Sequence, residues 1–150
     1  MNRRTLNSEQ IPNSQRSAFQ GSDRKYDLEE RLLEFAAAVI DVSENLPSTR
    51  AGNHISGQIL RAGTSPYGNH GEAQAPESAE DFIHKMKICL KELRETHRWA
   101  RLIDRKRWLI KNPHLTFVLR EGDELIRIFK KSIQTAQANR AAKRRHRGDL

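Results

Sequence analysis

Apolar positions along this chain recur in steps of three and four, with no alternating strand pattern. The longest such register runs from Ser78 to Arg105 without a Gly or Pro. Ile83, Met86, Leu90, Leu93 and Ala100 step by 3, 4, 3 and 7, and Phe82 and Cys89 widen that face. This is the period of an amphipathic helix. Ser78 is placed to cap it, with Asp81 three residues on. An earlier stripe, Leu28, Leu32, Phe35, Val39, Val42 and Leu46, steps by 4, 3, 4, 3 and 4. Leu33, Ala36 and Ile40 broaden it. Asp27 and Glu30 resemble a capping pair at its start, and Pro47 stops it.

Two further segments are less regular. Ile55, Ile59 and Ala62 begin a helical stripe, but Gly63, Pro66, Gly68 and Gly71 follow within nine residues. Propensity predicts a helix kinked near Pro66, with small residues that let another backbone approach. After Arg105, Trp108, Leu109 and Ile110 are expected to fold back as a hydrophobic plug. Apolar contact resumes at Leu115 to Leu119. A fourth helix then carries Leu125, Ile126, Phe129 and Ile133 and fades after Ala136, with Gly122 as a possible interruption. Four helices on short connections predict an all-α, up-down four-helix bundle over residues 26–139. Residues 1–25 and 140–150 are expected to be disordered basic tails.

Charge sharpens that division. The 150 residues carry a net +8. Residues 1–25 hold Arg3, Arg4, Arg16, Arg24 and Lys25 against Glu9 and Asp23, and residues 140–150 hold Arg140, Lys143, Arg144, Arg145 and Arg147 against Asp149. The ends thus carry +3 and +4, and the middle only +1. Such ends attract polyanions. The single cysteine, Cys89, forms no internal disulfide, fits a reducing cytoplasm and reads as a small buried hydrophobe. No secretory h-region is seen, and the longest apolar run, Phe35 to Ile40, is too short for a bilayer.

Beside the apolar face of the third segment runs a second stripe. Lys87, Lys91, Arg94, Arg98, Arg101 and Arg105 step by 4, 3, 4, 3 and 4. At 100° per residue it lies about a quarter-turn from the core face. One reading is a phosphate-binding surface, strengthened by repetition in an oligomer and extended by the tails. The other is a solvated flank paired with acids on a neighbouring helix, such as Glu29, Glu30, Glu34 or Asp41. Trp99, Trp108 and Tyr67 are the aromatics available for base stacking, and each reads better as packing. Glu92 and Glu95 fall at ion-pair spacing from Lys91 and Arg98.

The stretch Ser56-Gly-Gln-Ile-Leu-Arg-Ala-Gly-Thr-Ser-Pro-Tyr-Gly-Asn-His-Gly-Glu72 resembles the four-helix-bundle family encoded within intervening sequences of bacterial 23S rRNA genes, also called S23 ribosomal proteins. Gln58, Arg61, Ala62, Ser65, Asn69 and Glu72 match its motif positions. Asp27-Leu28, Asp81-Phe82-Ile83 and Leu90 to Thr96 resemble its first and third helices. His70, Gly71 and Ala73 depart from the pattern. The chain is also similar to the accessory protein of diversity-generating retroelements, which binds a reverse transcriptase and nucleic acid. These resemblances imply a homopentamer without catalytic activity. They give Gln58, Arg61, Asn69 and Glu72 either a subunit contact or an internal polar network.

Enzymatic alternatives meet specific objections. A di-iron bundle needs two Glu-x-x-His pairs and two further carboxylates. The sequence offers only Asp81-Phe-Ile-His84. Gly52-Asn-His-Ile-Ser-Gly57 has phosphate-loop glycine spacing, but Gln58 follows where the mechanism needs Lys. No nucleophilic triad suggests itself. The expectation is a non-enzymatic, cytoplasmic homo-oligomer without cofactor or metal that binds nucleic acid, structured RNA foremost, through Lys87, Lys91, Arg94, Arg98, Arg101 and Arg105 with Arg140, Lys143, Arg144, Arg145 and Arg147. The alternative is a protein-interaction scaffold, such as an accessory subunit of a retroelement reverse transcriptase.

Overall fold

The computed structural model describes the backbone of residues 13–148 and the side chains of residues 27–148. Four helices occupy nearly all of it: α1 (Asn13–Glu44), α2 (Arg50–Ala73), α3 (Ala79–Arg105) and α4 (Pro113–Gly148). Each start of α2, α3 and α4 is set by a side chain that accepts from backbone N–H groups the helix itself leaves free. Thr49 Oγ1 accepts from Gly52 N–H at 3.0 Å. Ser78 Oγ accepts from Asp81 N–H at 3.0 Å, and Asp81 Oδ2 accepts in return from Glu77 N–H at 3.1 Å. Asn112 Oδ1 accepts from His114 and Leu115 N–H at 3.0 and 3.1 Å. Pro113 follows it at the first helical position, where a missing N–H costs nothing.

Each helix packs on its sequence neighbour, and α4 closes back onto α1. The pairs α1/α3 and α2/α4 therefore lie across the two diagonals of an up-down bundle. The predicted stripes meet at the centre. Leu32, Phe35, Val39 and Val42 of α1 are fully buried with Ile59, Leu93, Ile103, Leu125 and Phe129. Across one diagonal, His70 of α2 stands edge-on to Phe129 of α4, with ring centroids 6.0 Å apart. Arg31 ties α1 to α4. Its Nε donates to Glu121 at 2.6 Å and its Nη2 to Glu124 at 2.9 Å, which holds the guanidinium pKa above its ordinary value.

Three expectations are corrected. First, α1 begins at Asn13, so Asp27 is an interior residue and not its cap. After Pro12 no further proline interrupts the chain as far as Tyr26, and Gly21 is the one glycine there. Residues 1–12 lie outside the described residues. Second, α4 runs unbroken through Gly122 to Gly148, so residues up to 148 of the supposed C-terminal tail are helix. Ala, Lys and Arg are strong helix formers, and cations in the last turn interact favourably with the negative end of the macrodipole. Gly122 is instead a packing position: a Cβ there would stand 3.4 Å from the Phe35 ring and 3.5 Å from His97. The second segment forms one helix, α2, that carries Pro66 inside it. Third, Trp108 and Leu109 pack on the core as expected, but Ile110 is 63% exposed. The turn that carries them has left-handed backbone at Arg107 and Lys111.

The glycines of α2 divide by face. A Cβ on Gly63 would sit 2.5 Å from Val39 Cγ1, so this glycine is what allows α1 and α2 to cross closely. Gly57, Gly68 and Gly71 have open space instead. Gly63→Leu should lower stability by about 1–3 kcal/mol through overpacking against a stiff, buried valine. Gly68→Ala should raise it by about 0.5–1 kcal/mol through reduced chain entropy. Urea unfolding of both variants against the parent checks the pair.

Candidate nucleic-acid interface

The apolar stripe of α3 points at the core, so the cationic stripe must emerge beside α4. All six side chains, Lys87, Lys91, Arg94, Arg98, Arg101 and Arg105, are exposed. Between α3 and α4 lies an open groove of about 570 Å³. Leu90 and Ile133 form its floor. Lys87, Lys91, Arg94 and Arg98 line one wall, and Lys130, Gln134 and Gln137 the other. A second hollow of about 530 Å³ adjoins it, lined by Lys87 and Gln137 again, with Arg140, Arg144 and Arg145. The sequence reading missed the α4 wall. Its signal was present as the helical spacing Lys130, Gln134, Gln137, Arg140 and Arg144, hidden by treating residues 140–150 as a tail.

None of the six α3 cations is within ion-pair distance of a carboxylate among the described residues. The reading that acids of a neighbouring helix neutralise them is therefore corrected. Glu29, Glu30, Glu34 and Asp41 all belong to α1, on the opposite diagonal corner. Asp41 stands 3.5 Å from His114 Nδ1 instead. Like charges about 5–6 Å apart along one helix face repel, so this flank is electrostatically unrelieved. Phosphate groups would relieve it.

The C-terminal cations are partly engaged. Arg140 and Arg144 both reach Glu80 Oε1, at 3.4 and 2.9 Å. These contacts dock the end of α4 against the start of α3. Lys143, Arg145 and Arg147 are exposed and unpaired among the described residues. Trp99 and Trp108 are half-buried against the core, and Tyr67 lies on α2 away from the groove, so no stacking platform lines it. An interface of this kind contacts the nucleic-acid backbone rather than reading bases.

Gln58, Arg61, Asn69 and Glu72 share the flank of α2 that faces α3. Only Arg61 makes a side-chain bond. Its Nη1 donates to Glu92 Oε2 at 3.2 Å and its Nη2 to Glu95 Oε1 at 2.6 Å. Trp99 Nε1 donates to the same Glu95 oxygen at 3.3 Å. Glu92 and Glu95 thus pair across to α2, and Glu95 pairs with neither Lys91 nor Arg98 despite its helical spacing from both. Gln58, Asn69 and Glu72 make no side-chain hydrogen bond to a described residue.

The opposite face of the bundle, between α1 and α2, has another character. Gly63 against Val39, and Ser56 Oγ donating to Ser43 O at 2.8 Å, set the antiparallel register. At that register Leu33 and Ile40 of α1 come beside Tyr67 and Leu60 of α2. These four large side chains are 38–42% exposed. Open Gly57, Gly68 and Gly71 lie nearby on α2. The sequence stripe of α1 included Leu33 and Ile40 as core, but the bundle leaves both half outside.

A sequence model of the 23S rRNA-intervening sequence protein family matches residues 24–131. The crystal structure of a protein with unknown function from the S23 ribosomal protein family, from Bacteroides thetaiotaomicron, is similar at a TM-score of 0.64. It is 30% identical, and the match covers 71% of this chain and 97% of that chain. No curated protein matches the chain.

Other chemistry is thin. Among the described residues no group of three or more His, Cys, Asp or Glu could hold a metal ion. The Asp81 carboxylate is engaged with Glu77 N–H and, at 3.1 Å, with Lys85 Nζ, which together hold its pKa below the ordinary carboxylate value. No described helix is long and apolar enough to cross a membrane. Cys89 is fully buried, and burial pushes its thiol up to about 12. A thiol is nucleophilic only as thiolate. Iodoacetamide at pH 8 should therefore leave Cys89 unmodified in the folded protein and alkylate it in denaturant, as read by intact mass.

Proposed function

The chain belongs to the 23S rRNA-intervening sequence protein family, and we propose that it binds nucleic acid without catalysing a reaction on it, structured RNA foremost. The binding surface is the α3/α4 groove, with Lys87, Lys91, Arg94, Arg98, Arg101 and Arg105 on one side and Lys130, Arg140, Lys143, Arg144, Arg145 and Arg147 on the other. The observation that carries this reading is the row of six exposed α3 cations without an intramolecular carboxylate partner. A purely structural flank gains from i,i+4 acid–base pairing, and this one has none. The groove is open along its length and suits a tracked phosphate backbone more than an enclosed small molecule.

The working form is a homo-oligomer, a pentamer by resemblance to the retroelement accessory protein, in the cytoplasm. The apolar strip of Leu33, Ile40, Leu60 and Tyr67 supports a protein contact on the face away from the groove. The same strip supports a second reading, a scaffold for another protein such as a retroelement reverse transcriptase. In that case partner binding survives neutralisation of the groove.

The test is RNA affinity against salt for the full chain and for the quadruple variant Lys87→Gln, Lys91→Gln, Arg94→Gln and Arg98→Gln. The slope of log affinity on log salt should become shallower by about three with a single-stranded probe, from about 0.7 per phosphate contact. An unchanged slope would remove the groove from the binding surface. No binding by the parent at low salt would remove the reading itself.

A further inference from the structure

Of the side chains lining the main reach of the groove, five are cationic and one is acidic. That acid is Glu95. It lies four residues after Lys91 and three before Arg98, the spacing at which helical acids and bases pair. It pairs with neither. Its carboxylate is drawn over the other shoulder of α3 by Arg61 of α2, at 2.6 Å, and by Trp99 Nε1, at 3.3 Å. Glu92, one turn earlier, is held by the second arm of the same guanidinium at 3.2 Å.

We propose that Arg61 is a positioning residue for the nucleic-acid groove: it holds Glu95 on the α2 side so that Lys91 and Arg98 stay free for phosphate. The inference rests on the groove being the binding surface. Arg61 itself sits on the α2 flank and is absent from the groove lining. One planar guanidinium meets two carboxylates that leave the same helix one turn apart, a geometry that suits Arg and not Lys. The Arg61 side chain is 52% exposed, so these bonds contribute modestly to stability. Their larger effect is directional. A released Glu95 has a short swing to Lys91 or Arg98, where it cancels a cation inside the groove.

The experiment is a double-mutant cycle on the full chain, with a single-stranded RNA oligonucleotide as probe and affinity measured from low to moderate salt. Arg61→Gln should weaken binding about five- to tenfold at 0.1 M salt and make the slope shallower by about 0.7, the effect of one lost phosphate contact. Adding Glu95→Gln to that variant should restore affinity to near the parent level. Glu95→Gln alone should change little, because Arg61 already neutralises that acid. A direct Arg61–phosphate contact gives no rescue. A general charge effect gives the same gain from Glu95→Gln on both backgrounds. Either result overturns the proposal, as does unchanged binding by Arg61→Gln. Far-ultraviolet circular dichroism and thermal unfolding should match across the set. If Arg61→Gln does not fold, Arg61→Lys carries the cycle, with a smaller loss expected and the same rescue. Failure of the parent to bind at low salt would instead sink the groove reading, which separates the two failures.

Discussion

The buried apolar stripe of each helix fixes where every other side chain on that helix must point. At 3.6 residues per turn, committing Ile83, Met86, Leu90 and Leu93 to the core commits Lys87, Lys91, Arg94 and Arg98 to the α3/α4 edge. The same constraint on α1 turns Glu30, Glu34 and Asp41 outward at the far corner. Up-down connectivity then places α1 and α3 on a diagonal, where their charges cannot meet. The nearly neutral folded middle is therefore not evenly neutral. It has an acidic corner and a basic edge held apart by its own core.

That separation gives the bundle two unlike faces. One is cationic, open and free of aromatic platforms, suited to the repeating charge of a phosphate backbone. The other, between α1 and α2, exposes four large apolar side chains beside open glycines. A protein that must hold nucleic acid and another protein together needs such a division, since both partners then dock without competing. Arg61 matters here because it guards the boundary between α2 and the basic edge. Through it, Glu92 and Glu95 of α3 hold α2 rather than quench the groove.

The bundle was legible in the sequence because its information is periodic. The α1 and α3 stripes, the Ser78 cap and the Pro47 stop all reappear in the structure. Expectation failed where composition stood in for packing. Gly122 read as an interruption, yet the helix runs through it, facing Phe35 and His97. The basic end of α4 read as a tail, yet Glu80 anchors it through Arg140 and Arg144, the latter 64 positions away in the chain. The α3 stripe was visible as a pattern, but its lack of partners was not. Deciding that required knowing which helices are neighbours. Arg61 was singled out by resemblance alone, and its two carboxylate partners could be named only once α2 lay beside α3.

The most direct test of the account is to map where RNA touches the protein. Photo-crosslinking with a 4-thiouridine-substituted RNA, followed by mass spectrometry of the peptides, gives that map for the intact chain. The account predicts crosslinks concentrated in residues 87–105 of α3 and 130–147 of α4, lost together as salt is raised. Crosslinks concentrated on the α1/α2 face, around Leu33, Ile40, Leu60 and Tyr67, would contradict it.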